Sequence, residues 1–325
     1  MACLIDGKLK YEKPTDIQQY DYEGKMYNVE TNHVSLEVTP NHRMYIRKCH
    51  SDNYEIELAE NIYNKRRKYK KNVFDGIQQK GLPHFTLPKF KDHDEIILPI
   101  NDWLIVFGIW IAEGSLGERS LCFATHKDRV KNALMKACTN LGYELKLNHD
   151  KPNDNFNKWY IHNVQLANFY KEYNVGSVNK FLPEWVWNLN SEQCRVLIEG
   201  MMLGDGHTMA NGTRRYDTSS TRLANDFQRL CLHAGYSTNI SVKYPAGHYS
   251  VIKKEGREGE TITSTTDAYR MTIIESQNEP IVNKTIKQDK YVDFKGKVYC
   301  CTVPGEGIIY VRKNGKPIWC GNSRH

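Results

Sequence analysis

The sequence predicts a multidomain chain in which a mostly-β domain is interrupted by an α+β domain of two pseudo-symmetric repeats. Two observations carry this prediction. Short strand-like runs occupy both ends of the 325 residues, and one helical frame occurs twice between them. With 40% hydrophobic residues the chain can build packed cores. It has no apolar run of membrane-spanning length, and "MACLIDGKLK" lacks the charged-then-apolar order of a signal peptide, so an intracellular protein without a membrane partner is expected. Nine cysteines, an odd number without paired spacing, indicate neither a disulfide framework nor a zinc site.

From Tyr20 to Tyr45 the runs "KMYNVET" and "SLEVTPNHRMYIR" read as short strands. Between Asn61 and Lys91 follow nine Lys or Arg residues against one acid, Asp75, centred on "KRRKYKK". Lys65, Arg66, Arg67, Lys68, Lys70 and Lys71 form either a solvated face or a phosphate-contacting one, with Tyr63, Tyr69 and Phe74 alongside.

In the middle, "FGIWIAEGS" (Phe107 to Ser115) and "IEGMMLGDGH" (Ile198 to His207) share the frame Gly-x-x-x-small-acid-Gly. The match continues downstream, where Ala124 onward aligns with Asp217 onward. Each copy has a polar entry, an amphipathic helix, and then Gly142-Tyr143 or Gly235-Tyr236 turning into a strand. Further strand-like runs lie around Trp159 to His162 and Tyr269 to Ile273. A glycine inside a helix costs about 1 kcal/mol relative to alanine, so small residues four apart need a packing reason. Gly108 with Ala112, and Gly200 with Gly204, would make flat faces on which two helices touch. Gly114 and Gly206 are expected as left-handed caps. Packed side by side, such helices would bring Glu113 and Asp205 together at their negative ends, where carboxylates repel. A divalent cation would resolve the conflict, and Mg²⁺ suits a site with few protein oxygens and room for water and phosphate.

These motifs carry a resemblance. Residues from about Asp102 to Glu279 look like a two-repeat LAGLIDADG (dodecapeptide) homing endonuclease domain. "NKFLPEWVW" resembles the lysine-containing block before the second motif, which implies Lys180 as an auxiliary catalytic lysine. The resemblance implies Glu113 and Asp205 as Mg²⁺ ligands and catalytic acids, and double-stranded DNA as the substrate. Glu stands at 113 where the family usually has Asp.

The strands return from Tyr291 to Cys320 in "KVYCCTV", "GIIYVRK" and "KPIWC", with "RKNGK" as a hairpin turn. Two β segments flanking a complete central unit read as one domain interrupted by an insertion, with its chemistry where the ends meet. "CLIDGKL", "TPNH" and "VYCCTV" through "WCGNS" resemble the opening, Thr-x-x-His and closing blocks of an intein's splicing (Hint, horseshoe-like) domain. The resemblance implies self-excision without a cofactor. Cys3 would attack the preceding carbonyl, Thr39 would polarise it and His42 would protonate the leaving nitrogen. Ser323 would then take the upstream segment, and Asn322 would cyclise to cut the chain.

The domains expected are 1–2 and 323–325 as flanking host (extein) remnants, 3–98 and 283–322 as the splicing domain, and 99–282 as the nuclease, in a monomer. Ser323-Arg324-His325 resembles a junction in the second-largest RNA polymerase subunit, and the host would set nuclear or cytoplasmic location. Cys3 fits the opening block better than Ala2 does. Three departures stand out: Gly321 precedes Asn322 where the family has histidine, Cys300 holds a usually acidic position, and no histidine lies between Thr302 and Ile318. Cys301 and Cys320 read as small buried apolar residues. An inactive DNA-binding derivative would leave Cys3 and Asn322 without purpose. A domain limited to cleavage would need neither Asn322 nor Ser323.

Overall fold

The computed structural model describes residues 1–147, 157–254 and 257–322. The chain divides into two compact units. One comprises residues 1–78, 235–240 and 273–325, and the other residues 79–234 and 241–272. The first division thus falls after Gln78, and the stretch 79–98 clusters with the central unit.

The discontinuous unit is built of strands. Ala2–Ile5 and Lys8–Tyr11 form a hairpin over Asp6-Gly7, both with positive φ (52° and 73°), as a two-residue turn of matching twist requires. Ile308–Lys313 and Lys316–Cys320 form a second hairpin over Asn314-Gly315 (49° and 72°). The two hairpins join into one four-stranded sheet, in which Ile309 stands between Cys3 on one side and Cys320 on the other. Asp16–Glu30 pairs along its length with Asp289–Thr302, and Ser35–Val38 adds a third strand. Arg43–Lys48 lies between Glu55–Leu58 and Arg67–Tyr69 in another sheet. Val29, Val34, Leu36, Met44, Ile46, Tyr69, Ile318 and Cys320 make the core, which draws on both ends of the chain.

The central unit repeats itself. A motif helix, Ile100–Glu113, leads into strands Gly114–Leu116 and Ser120–Ala124 and then helix Asp128–Asn140. The second, Ser191–Gly204, leads into Gly206–Thr208, Arg214–Thr218 and helix Thr221–His233. Asn190 opens this second helix with a reciprocal capping box to Gln193. The four-stranded sheets have the same architecture: the two strands after each motif helix lead the order, and two later strands complete it. Gly142 and Gly235 have positive φ (77° and 90°) after the amphipathic helices.

The motif helices pack directly on each other through their glycines. A Cβ on Gly108 would stand 2.7 Å from the Met201 nitrogen, and one on Gly200 would stand 3.0 Å from the Leu104 and Ile105 oxygens. Gly204 is filled from the other side, since its Cβ would lie 2.3 Å from that of Ala112. The expected left-handed caps at Gly114 and Gly206 are not what forms. Gly114 is extended (φ −83°, ψ 148°), and each glycine begins a strand that turns back over its own helix. A Cβ would meet Trp110 at 2.3 Å or Met202 at 2.5 Å, so close approach rather than handedness requires glycine there.

Gly108→Ala weighs two effects of opposite sign. The helix gains about 1 kcal/mol of propensity, but overpacking against backbone that cannot yield costs about 1–3 kcal/mol. The variant is expected to lose up to about 2 kcal/mol, read as a lower midpoint in urea denaturation; a higher midpoint would refute the close crossing.

Candidate functional site

The residues named from the sequence fall into two groups, one in each unit. In the β unit, Cys3 is fully buried beside Cys301, Val303 and Ile309, and its thiol donates to the Met1 carbonyl at 3.6 Å. Burial pushes this thiol up from its usual range. Thr39 and His42 belong to the turn after Ser35–Val38, where His42 N donates to Thr39 O (3.0 Å) and Thr39 Oγ1 donates to Asn41 Oδ1 (2.7 Å). His42 Nε2 lies 3.0 Å from Cys320 Sγ. Cys320 is completely enclosed and its thiol is pushed up to about 12, so it stands neutral beside the imidazole. Asn322 is buried, and its Oδ1 accepts from the Cys300 thiol at 2.7 Å. A cavity of about 380 Å³ is lined by Met1, His42, Cys300, Cys301, Ile309 and Asn322, among others. Ser323 lies outside the described residues.

The glycine before Asn322 has a steric reason. A Cβ at Gly321 would fall 2.5 Å from the Arg43 carbonyl oxygen and 2.9 Å from its Cβ, so a histidine cannot stand there unless the Arg43 strand shifts. Thiols supply the polar contacts instead. Cys320 is buried as its sequence suggests, but it also partners His42, a relation between residues 278 apart that no local pattern records.

In the repeat unit, Glu113 closes the first motif helix and Asp205 follows the second. Cations cap both helix ends. Lys180 Nζ donates to the carbonyls of Ile111 (2.5 Å) and Ala112 (3.0 Å), while Arg129 reaches those of Leu203 and Gly206. Burial lowers the Lys180 ammonium, against the pull of Asp205 and Glu113. Lys127 Nζ donates both to Glu113 Oε1 (2.7 Å) and to Gly204 O (2.6 Å). Sequence reading missed Lys127. The available signal was the repeat alignment, which sets it opposite Ser220. Asp205 keeps a solvent-facing side, yet desolvation by the surrounding protein, reinforced by Glu113, pushes its carboxyl up to about 6. Among the described residues no group of three or more His, Cys, Asp or Glu converges as a metal cage. Two carboxylates do fit Mg²⁺, which usually keeps several waters and shares its sites with phosphate.

The basic tract divides. Lys65 and Arg66 are exposed, as are Tyr63 and Phe74. Arg67 is paired with Glu57 (3.0 Å), Lys68 approaches Glu279 (3.6 Å), and Lys70 lies over the Tyr54 ring. Lys71 corrects the expectation of a phosphate contact. It is fully buried, its Nζ donates to His33 O, Asn239 Oδ1 and Pro317 O, and burial with nearby Lys316 pushes it down to about 7. Tyr69 is likewise core, hydrogen-bonded to Tyr27. Strand alternation within "KRRKYKK" turns part of the charge inward.

The family model of the LAGLIDADG-like domain matches residues 192–278. These residues begin with the second motif helix, so the match covers the second repeat. Over 98% of its length the chain is 28% identical to an ATP-dependent Clp protease proteolytic subunit of Chlamydomonas moewusii, covering 42% of that protein. It is 29% identical, again over 98%, to the C-terminal section of a DNA-directed RNA polymerase subunit beta of Stigeoclonium helveticum, covering 33%. A ribonucleoside-diphosphate reductase subunit beta of Aquifex aeolicus matches at 24% over 97% of the chain and 45% of its own length. The chain thus spans less than half the length of these curated relatives. Among solved structures, a variant of the homing endonuclease I-DmoI in complex with its target DNA superposes at a TM-score of 0.37, with 9% identity, over 55% of this chain and 92% of that one. Full-length DUF199/WhiA superposes at 0.32, with 10% identity, over 55% and 51%. No described helix is long and apolar enough to cross a membrane.

A carboxyl whose folded pKa is raised carries stability that is present at low pH and lost as pH rises through the folded value. For Asp205 that window runs from about 4 to about 6. In EDTA, Asp205→Asn is therefore expected to melt higher than the parent at pH 7 and to flatten the decline over this window. Parallel melting curves for the two proteins would contradict the shift.

Proposed function

We propose that this chain is an intein: a self-splicing β domain that carries a LAGLIDADG-type endonuclease acting on double-stranded DNA. The observation that carries the splicing half is that His42 and Asn322, with Met1 and two thiols, line one cavity, while Cys3 sits in the adjoining cluster. The relatives support it in a different way. Protease, polymerase and reductase subunits have no common reaction, yet each matches nearly all of this chain over less than half of itself. A segment carried within unrelated hosts accounts for that pattern, and a polymerase host is one of the types on offer.

In the splicing reaction Cys3 Sγ attacks the Ala2 carbonyl carbon. The amide C–N bond breaks, and His42 delivers a proton to the departing Cys3 nitrogen, leaving a thioester. Neutral Cys320 beside Nε2 holds the imidazole in place. Thr39 would polarise the carbonyl from the same turn once its hydroxyl turns away from Asn41 Oδ1. Ser323 Oγ attacks the thioester carbon, releasing the Cys3 thiol and forming an ester. The Cys300 thiol anchors Asn322 Oδ1, which leaves Nδ2 as the free end to attack the Asn322 carbonyl carbon. The 322–323 bond breaks to a succinimide and a free Ser323 amine, onto which the ester rearranges as an amide. Positioning of this kind is worth about 7–11 kcal/mol of barrier.

In the nuclease half, Glu113 and Asp205 would hold Mg²⁺, which supplies charge neutralisation at an attacked phosphate. Lys180, beside both acids, would add positive charge toward that phosphate. Lys65 and Arg66 would contribute further phosphate contacts.

Placed between two reporter proteins, the chain is expected to yield ligated reporters by mass spectrometry. Cys3→Ala should abolish ligation, and Asn322→Ala should hold the upstream segment as the Cys3 thioester or the Ser323 ester while the 322–323 bond stays intact. Undiminished ligation in either variant would refute the assigned roles. In gel shifts, replacing Lys65 and Arg66 with Ala should reduce the slope of log K against log salt by about 1.8, at roughly 0.9 per phosphate contact. An unchanged slope would remove the tract from the interface.

A further inference from the structure

The two repeats differ at one position that their symmetry would equate. The residue entering the helix after the second strand is Lys127 in the first repeat and Ser220 in the second. Ser220 does what such a residue usually does: its Oγ accepts from Leu223 N at 3.1 Å and caps the helix, and it also donates to Lys180 O. Lys127 occupies the N-cap of Asp128–Asn140 and provides no side-chain cap. A Ser, Thr, Asn or Asp there is typically worth about 1 kcal/mol to a helix, so this repeat forgoes an available stabilisation. The lysine instead sends its ammonium back to Glu113 Oε1 and Gly204 O, with both partners of the ion pair largely shielded from solvent (32% and 19% exposed). Among the described residues no hydrogen bond or ion pair reaches the Asp205 carboxylate. One acid therefore carries a directly paired cation, while Lys180 and Lys127 act on the other only through space.

Resting on the reading of Glu113 and Asp205 as a divalent-metal site, we propose that Lys127 is a built-in competitor for the metal. Its ammonium occupies the Glu113 carboxylate in the metal-free protein and must be displaced for a divalent ion to bind there. The contact relieves repulsion between the two acids at two negative helix ends, a role the ion takes over on binding. The resulting penalty on metal affinity keeps the free protein sparsely loaded. Lys127 thus acts through Glu113 as a positioning residue.

The test is titration of the full-length chain with Mn²⁺, read by the electron paramagnetic resonance of the free ion, for the parent, Lys127→Met, Lys127→Arg and Asp205→Asn. Lys127→Met is expected to bind Mn²⁺ at least 10-fold more tightly than the parent, Lys127→Arg to stay within about 3-fold of it, and Asp205→Asn to bind more weakly. Thermal melting supplies a second readout. In EDTA, Lys127→Met should melt below the parent, and saturating Mn²⁺ should raise it by more than it raises the parent. Unchanged or weaker Mn²⁺ binding by Lys127→Met, with parent binding that depends on Asp205, would overturn the competitor role alone. Absence of Mn²⁺ binding in the parent and in every variant would overturn the metal-site reading and the competitor role with it.

Discussion

The β unit depends on backbone pairing between Asp16–Glu30 and Asp289–Thr302, segments separated by most of the chain. Closing so long a loop is less costly than its length implies, because the entropic penalty grows logarithmically, by about 0.6 kcal/mol per doubling. A compact insertion that folds on its own contacts lowers the cost further by ordering the loop independently. Once the ladder forms, the end hairpins can share a sheet, and Cys3, Ile309 and Cys320 come abreast. The cavity next to them is a consequence of that pairing, which brings lining residues from the two ends of the chain together.

The repeat unit rests on a comparable constraint at smaller scale. Removing Cβ atoms at Gly108 and Gly200 lets two apolar helices touch along their backbones, and this brings two acids and two helix C-termini toward one place. Lys180, Arg129 and Lys127 answer the electrostatic cost by capping carbonyls and pairing one acid. The remaining strain shows in Asp205, whose carboxyl is held well above its ordinary range.

Much of this was legible in the residue order. Alternating apolar runs marked the strands, Asn314-Gly315 marked a hairpin, and the doubled frame marked the helix pair with its acids. The errors share a cause. Gly114 and Gly206 look like caps because a glycine after a helix usually is one, but here each is needed for contact with its own helix. Arg67 to Lys71 look like a basic surface because composition records charge and not direction. In the fold Lys71 becomes an internal ammonium tying His33, Asn239 and Pro317 together.

By itself the sequence determined periodicity, turns, the repeat and the chemical types available at each end, because these depend on neighbours within a few residues. Only the tertiary structure decided that Cys320 faces His42, that Cys300 holds Asn322, that no side chain fits at Gly321 against Arg43, and that Lys127 rather than solvent meets Glu113. Each of those is a contact between separate segments, 14 to 278 residues apart. Its geometry is set by packing at the level of single ångströms, which no local pattern encodes.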